Sequence, residues 1–362
     1  MKACNLCFYL SDHGFGHIAR NLPIIAEAVR RTEDLVYLVC GAKHLDFAEA
    51  NLQELLTPEQ LARVRYRAEH TDVGLILQPG TLLVDAPALT KACEDYLSCL
   101  PERSAREASW LKAHDIAAAL CDMPLWSISA CAQAGVPLLY LGNFTWTELY
   151  REFLPERIWK AYAVEYAKIR HGMLYALHNL EMLEFLPGAE LTETSLVARP
   201  FHPEQIAAIR SRHACPIVFV ALGMSAQFTR PVSVEGVKAH FYTTEGVPLT
   251  GSNVTTVPYT TLNTQDYVAA ADYVITKAGW GTVAECLLSR KAMALFARDS
   301  VLEDRTTIRL LEEQGLAVKI TYEQLADMPA LLNKLEQIHY PAQTGYYNAA
   351  VEIASRLLAL AM

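Results

Sequence analysis

Nowhere does this chain hold an unbroken apolar run of the ~20 residues that a membrane-spanning helix requires. It also lacks a basic tract to follow a phosphate backbone. The formal net charge is -9, which argues against nucleic acid as the main partner and still leaves room for a local positive pocket. Charged residues make up only 20% of the chain and apolar residues 52%, a balance that excludes intrinsic disorder. No internal repeat, low-complexity tract or long flexible linker interrupts the 362 residues. Residues 1–10 are apolar but too short for a signal peptide, and they run straight into Ser11-Asp12-His13-Gly14. They read as a first strand, and the cytoplasm is the expected compartment. Cys4 and Cys7 form a C-x-x-C, but no second pair stands at zinc spacing, and positions three apart on a strand face opposite ways. The nine cysteines (Cys4, Cys7, Cys40, Cys93, Cys99, Cys121, Cys131, Cys215 and Cys286) are therefore expected to be reduced core residues, with no metal site.

What the chain does have is an alternation of short apolar runs with helical periodicity, the signature of parallel sheets with crossover helices. The first half predicts strands over 3–10, 35–40, 64–68, 116–121 and 136–141, and helices over 18–31, 44–55 and 125–134. A long helix over 87–111 should break or kink at Pro101. Residues 151–186, rich in Tyr, Leu and Glu, read as helical, and Leu186-Pro187-Gly188 as a turn. A second cycle begins with a strand over 216–222 that ends at Gly223. It continues with strands over 239–243, 253–257, 273–276 and 292–297, and helices over 264–271, 281–289 and 305–314. A last amphipathic helix covers 346–361. The expectation is an α/β protein of two doubly wound, Rossmann-like domains, 1–200 and 201–362.

Four segments offer chemistry. Asp12-His13-Gly14-Phe15-Gly16-His17 follows the first strand and opens a helix, where Gly14 and Gly16 let backbone approach a ligand and the helix start offers amides to a phosphate. It is not G-x-G-x-x-G and no acid follows at the right distance, so a nicotinamide site is not expected. Lys277-Ala278-Gly279-Trp280-Gly281-Thr282-Val283-Ala284-Glu285 repeats the strand–loop–helix arrangement, with Glu285 placed to take the two hydroxyls of a ribose diol. Asp122 ends an apolar strand and serves either to orient a histidine or to cap the next helix. Glu303 and Asp304, after a later strand, are either solvated surface or readers of sugar hydroxyls. Ligands of open α/β sheets sit at the carboxyl ends of strands, so both glycine loops are expected to face one cleft.

On His13-Gly14-Phe15-Gly16-His17, Gly142-Asn143-Phe144-Thr145-Trp146, Leu186-Pro187-Gly188 and the Lys277–Glu285 segment, the chain resembles the amino-terminal, glycosyltransferase-like part of plant L-arabinokinases and its free-standing bacterial relatives. The motifs span nearly the whole chain in the same order. The kinase half has no counterpart here, so arabinokinase activity is not implied. More distantly, both loops resemble inverting GT-B transferases, including the lipid-linked N-acetylglucosaminyl transferase of peptidoglycan synthesis and the plant UDP-glycosyltransferases. That resemblance implies the GT-B fold, with the last helix able to cross back to the first domain. It implies His17 as general base, Asp122 as its support and Glu285 on the nucleotide ribose. His13 is an additional histidine and competes for the base role. The plant enzymes' long donor signature is missing, and Ala221-Leu222-Gly223-Met224-Ser225 replaces their G-G-S loop.

The function expected is transfer of a sugar from a nucleoside-diphosphate donor, UDP-linked, to an unidentified acceptor hydroxyl, with inversion and without a metal. The diphosphate would lie on loop amides of Gly223–Ser225 and Ala278–Gly281, within a nucleotide-sugar site that also takes in Lys277 and Thr282. No further cofactor is expected. Two other readings stay open on the same fold: a sugar-nucleotide epimerase or hydrolase, and a sugar-nucleotide sensor that binds without turnover.

Overall fold

The apolar runs of the first half fold as strands of one parallel sheet. The computed structural model describes residues 4–79, 81, 83–222, 231–342 and 344–362. Its first sheet comprises β1 (Asn5–Leu10), β2 (Val36–Cys40), β3 (Val64–Ala68), β4 (Ile116–Asp122), β5 (Leu138–Gly142), β6 (His171–Tyr175) and β7 (Glu190–Thr194). Their spatial order is β3-β2-β1-β4-β5-β6-β7. β1 is buried along its whole length, as a central parallel strand covered on both faces must be, and so after Asn5 its sequence is a run of Leu, Cys, Phe, Tyr and Leu. The helix Phe15–Arg31 follows it directly, burying Ile18, Leu22, Ile25 and Val29 at three- and four-residue spacing. Strand order turns at β1, with β2 and β3 on one side and β4 to β7 on the other. The carboxyl ends of β1 and β4 therefore flank the sheet's switch point, where open α/β sheets bind ligands.

The second sheet is also parallel. It contains β8 (Ile217–Ala221), β10 (His240–Thr244), β12 (Val254–Val257), β13 (Tyr273–Lys277), β14 (Ala292–Phe296) and β15 (Ala317–Ile320) in the order β12-β10-β8-β13-β14-β15. A short ribbon pairs β9 (Val232–Ser233) with β11 (Leu249–Thr250). Val218, Val220, Phe241, Ile275, Ala294, Leu325 and Leu331 form the core of this half. Its switch point lies between β8 and β13.

The chain divides into one unit of Met1–Ile76, Val84–Val197 and Asn348–Met362 and another of Leu77–Leu83 and Ala198–Tyr347. A second domain of 201–362 thus loses its tail to the first unit. The tail helix, Ala350–Ala361, lies on the helix Phe15–Arg31 and on β4, burying Ile353, Ala354 and Leu357. Arg31 donates to Ser355 Oγ at 2.6 Å, and Arg356 pairs with Glu190 at 2.7 Å.

Several local readings change. The helix Ala86–Ala113 runs unbroken through Pro101. Within 151–186 only Glu156–Tyr166 is α-helical; β6 and a 3₁₀ turn (Leu180–Phe185) fill much of the rest. β7 escapes a hydrophobic pattern because it is an edge strand, mostly exposed and written Glu-Leu-Thr-Glu-Thr. Six cysteines are buried, Cys4 is half-buried, and Cys99 and Cys215 are exposed rather than core; all nine are free. Among the described residues no helix is long and apolar enough to cross a membrane.

Candidate active site

The first unit builds its site where β1 and β4 end. β1 and β4 are in register at Leu10 and Asp122, and the Ser11 amide donates to the Asp122 carbonyl at 3.0 Å. Gly14 caps the following helix at φ 75°, a left-handed backbone that side chains resist. His17, third residue of that helix, points its Nδ1 at Asp122 Oδ1, 2.8 Å away. Asp122 is fully buried and receives three more hydrogen bonds: Arg20 Nη2 to Oδ1 at 2.6 Å, Arg20 Nε to Oδ2 at 2.8 Å and Asn21 Nδ2 to Oδ2 at 2.7 Å. A carboxylate has about four acceptor positions, and here all are filled. Burial alone would raise the Asp122 carboxyl, but the Arg20 charge and then His17 outweigh it and hold it well below the usual range. An ionised Asp122 requires Nδ1 to carry the ring proton, which leaves Nε2 as the basic nitrogen. Nε2 makes no hydrogen bond among the described residues.

Arg20 is itself fixed by Asn143 Oδ1 at 3.0 Å and by the Tyr175 ring 5.2 Å below its guanidinium. Met123, next after Asp122, sits at φ 91°, a strained backbone for a non-glycine residue, with its carbonyl held by Tyr166 Oη at 3.0 Å.

A second buried carboxylate lies beside the loop. Asp72, 2% exposed, accepts from Ser11 Oγ at 3.0 Å and from Trp146 Nε1 at 2.7 Å. Ser11 Oγ in turn accepts from the His13 amide at 3.1 Å. The His13 ring meets Trp146 edge-on at 5.6 Å and lies so close over Gly74 that a Cβ there would fall 1.7 Å from Nδ1. His13 is thus part of an aromatic wall, whereas His17 is the histidine that Asp122 orients. Burial, then the neighbouring Asp12 charge, pushes the Asp72 carboxyl up to about 7. Asp12 behaves oppositely: burial would raise it, but the hydrogen bond and charge of His70, 2.9 Å away, hold it well below the usual range.

In the second unit, the loop after β13 passes Lys277 and Ala278 to Gly279, which caps the helix Trp280–Ser289. The first amides of that helix, Gly281 and Thr282 among them, lack partners within it, and no acidic residue occupies its first turn. Burial, then the Arg298 charge, lowers the Lys277 ammonium below its ordinary value. Glu285 is not solvated: it is 6% exposed, and its Oε1 accepts from Arg199 Nε at 3.1 Å and Nη2 at 2.9 Å. Asp304, read as a possible contact for sugar hydroxyls, is wholly buried. Its oxygens accept from the Arg298 amide, Nε and Nη2 at 2.9, 3.0 and 2.6 Å, so it ties its own loop instead. Glu303, half-buried, starts the helix Leu302–Glu313 beside it. Gly223 and Ser225 lie outside the described residues.

Residues 222–357 match the model of the glycosyltransferase family 28 C-terminal domain. Over the whole length, the chain is similar in fold to Arabidopsis thaliana UGT89C1 complexed with UDP-L-rhamnose, with TM-score 0.64, 12% identity and full coverage of both chains. It is likewise similar to the calicheamicin glycosyltransferase CalG4, with TM-score 0.59, 14% identity and coverage of 100% of this chain and 94% of that one. Phytolacca americana UGT2, complexed with UDP-2fluoro-glucose and pterostilbene, gives TM-score 0.61 at 12% identity, covering 99% of this chain and all of that one. The fold of the chain is of the GT-B type. In sequence it is 24% identical over 334 residues to the L-arabinokinase of Arabidopsis thaliana, covering 88% of this chain. It spans only 30% of the length of that relative.

Several of these residues, in one unit or the other, carried no clear signal in the sequence. Arg20 and Asn21 stand three and four positions after His17, on the same helical face, and polar residues there among apolar ones were the available sign. Asn143 and Trp146 were visible only as members of the Gly142–Trp146 motif. Asp72 and Arg199 lie in irregular segments that no periodicity marks.

Proposed function

We propose that this chain is a glycosyltransferase of the GT-B fold, inverting and metal-independent, and that it uses a UDP-linked sugar. The observation that carries the reading is the saturated Asp122 carboxylate, which fixes the His17 tautomer with Nε2 as the base. His17 Nε2 takes the proton of an acceptor hydroxyl, whose oxygen attacks the anomeric carbon as the bond to the diphosphate breaks. The positive charge arising on the ring is met by Asp122, while Arg20 and Asn21 keep that carboxylate ionised and still. In the second unit, Lys277 and the amides of Gly281 and Thr282 receive the leaving diphosphate, and Glu285 takes the ribose. Amide dipoles at a helix start stabilise such an anion without a cation.

The test is turnover with an α-linked donor. The expected product is β-linked, activity survives chelators, and His17→Ala lowers kcat by ~10²–10⁴ with nucleotide affinity nearly unchanged. If His13→Ala abolishes turnover and His17→Ala does not, the base is His13. Donor loss without glycosylated product would favour the hydrolase or epimerase reading.

A further inference from the structure

Glu285 is held by a residue far away in the sequence. Arg199 is buried and all three of its guanidinium nitrogens are engaged. Nη1 donates to the Leu262 carbonyl at 2.6 Å, Nη2 to Thr264 Oγ1 at 3.0 Å, and Nε and Nη2 both to Glu285 Oε1. Two held anchors on the Leu262–Thr264 segment fix the fork, and the fork fixes the carboxylate. The arrangement is lopsided. A carboxylate oxygen accepts about two hydrogen bonds, and Oε1 has both from Arg199. Oε2 receives none among the described residues, and the Glu285 side chain keeps 9% of its surface exposed.

We propose that Arg199 is the positioning residue of the nucleotide site: by occupying Oε1, it leaves Glu285 a single oxygen, Oε2, aimed at a ribose hydroxyl, and so makes the site choose ribonucleotides over 2′-deoxyribonucleotides. This rests on the reading of Glu285 as the ribose ligand. One hydroxyl on each carboxylate oxygen is excluded by the filled Oε1; the diol is read on one oxygen. Preorganisation supplies the selectivity. Without Arg199 the glutamate is free to turn among rotamers and must be ordered by the ligand, so the hydroxyl contact contributes less.

The experiment compares binding of UDP and 2′-deoxy-UDP by calorimetry to wild type, Arg199→Met and Arg199→Lys. Wild type should prefer UDP by about ten- to a hundred-fold, as expected for a hydrogen bond to a charged group. Arg199→Met should bring that ratio close to one, mainly by weakening UDP. Arg199→Lys, which keeps the charge but loses the two-nitrogen fork, should fall between, and it decides the matter if the methionine variant does not fold. A purely structural Arg199 would weaken both nucleotides alike, so a preserved ratio in the folded variants overturns the proposal. A wild-type ratio of one instead overturns the ribose reading of Glu285, and this inference falls with it.

Discussion

Two buried aspartates in the first unit are in opposite electrostatic states. Asp122 faces Arg20 and four hydrogen-bond donors, so its charged form is favoured despite burial. Asp72 has only neutral donors, Ser11, Thr71 and Trp146, and is buried with Asp12 nearby, so its charged form is disfavoured. Their pH signatures have opposite sign. Asp122 contributes stability that is in place above about pH 4 and is lost on acidification. Asp72 keeps its proton up to about pH 7 when folded but releases it near pH ~4 when unfolded. Over that interval the native state binds more protons, and stability falls as pH rises. Asp72→Asn removes this slope. The variant should gain on wild type as the pH is raised from about 4 to 7 and hold a constant difference above that, read from urea midpoints. An offset independent of pH would mean that Asp72 titrates as an ordinary carboxylate.

At the scale of elements, the tail helix crosses back to the first unit, as the resemblance implied and as no local pattern could tell. Its apolar face could have covered either sheet; it covers the first, through Ile353, Ala354 and Leu357 against β4 and the helix Phe15–Arg31. That helix also carries His17, Arg20 and Asn21, so the tail backs the element that presents the base. Leu357→Ala should lower stability by about 2–5 kcal/mol, the usual cost of emptying a buried leucine site. The control Val351→Ala, 47% exposed on the same helix, should stay within ~0.5 kcal/mol. Equal effects of the two, measured by denaturant unfolding, would mean that the helix is not held by this face.

For the whole molecule, the same device occurs twice: a parallel sheet, a switch point beside its central strand, and a strand–glycine–helix loop at that point. The first loop leads to a histidine and its carboxylate, the second to a lysine, helix amides and a glutamate. The halves thus differ in charge chemistry rather than architecture. If the nucleotide belongs to the second, UDP at ~100 times its dissociation constant adds about 2.7 kcal/mol of stability. Glu285→Ala, at the same UDP concentration, should show a markedly smaller shift. An unchanged shift in that variant, seen by thermal unfolding, would remove Glu285 from the site.

Local information sufficed for the fold class, most strands of both sheets and the two loops. Each rests on a short-range property: an apolar run buried on both faces, a helical period, or a glycine where backbone must turn. Edge strand β7, half-turned to solvent, has no such mark, and the unbroken helix through Pro101 shows tertiary packing overriding a local breaker. The pairing of His17 with Asp122 was expected from resemblance, but its completion by Arg20 and Asn21 was not. Asp72 meets Ser11 and Trp146 from 61 and 74 residues away, and Glu285 meets Arg199 across 86. Such contacts depend on strand order and register, which no local pattern encodes. The sequence by itself determined the elements and the residue types at their ends; the tertiary structure alone decided which of those charged groups face one another, and with that the opposite shifts of Asp72 and Asp122.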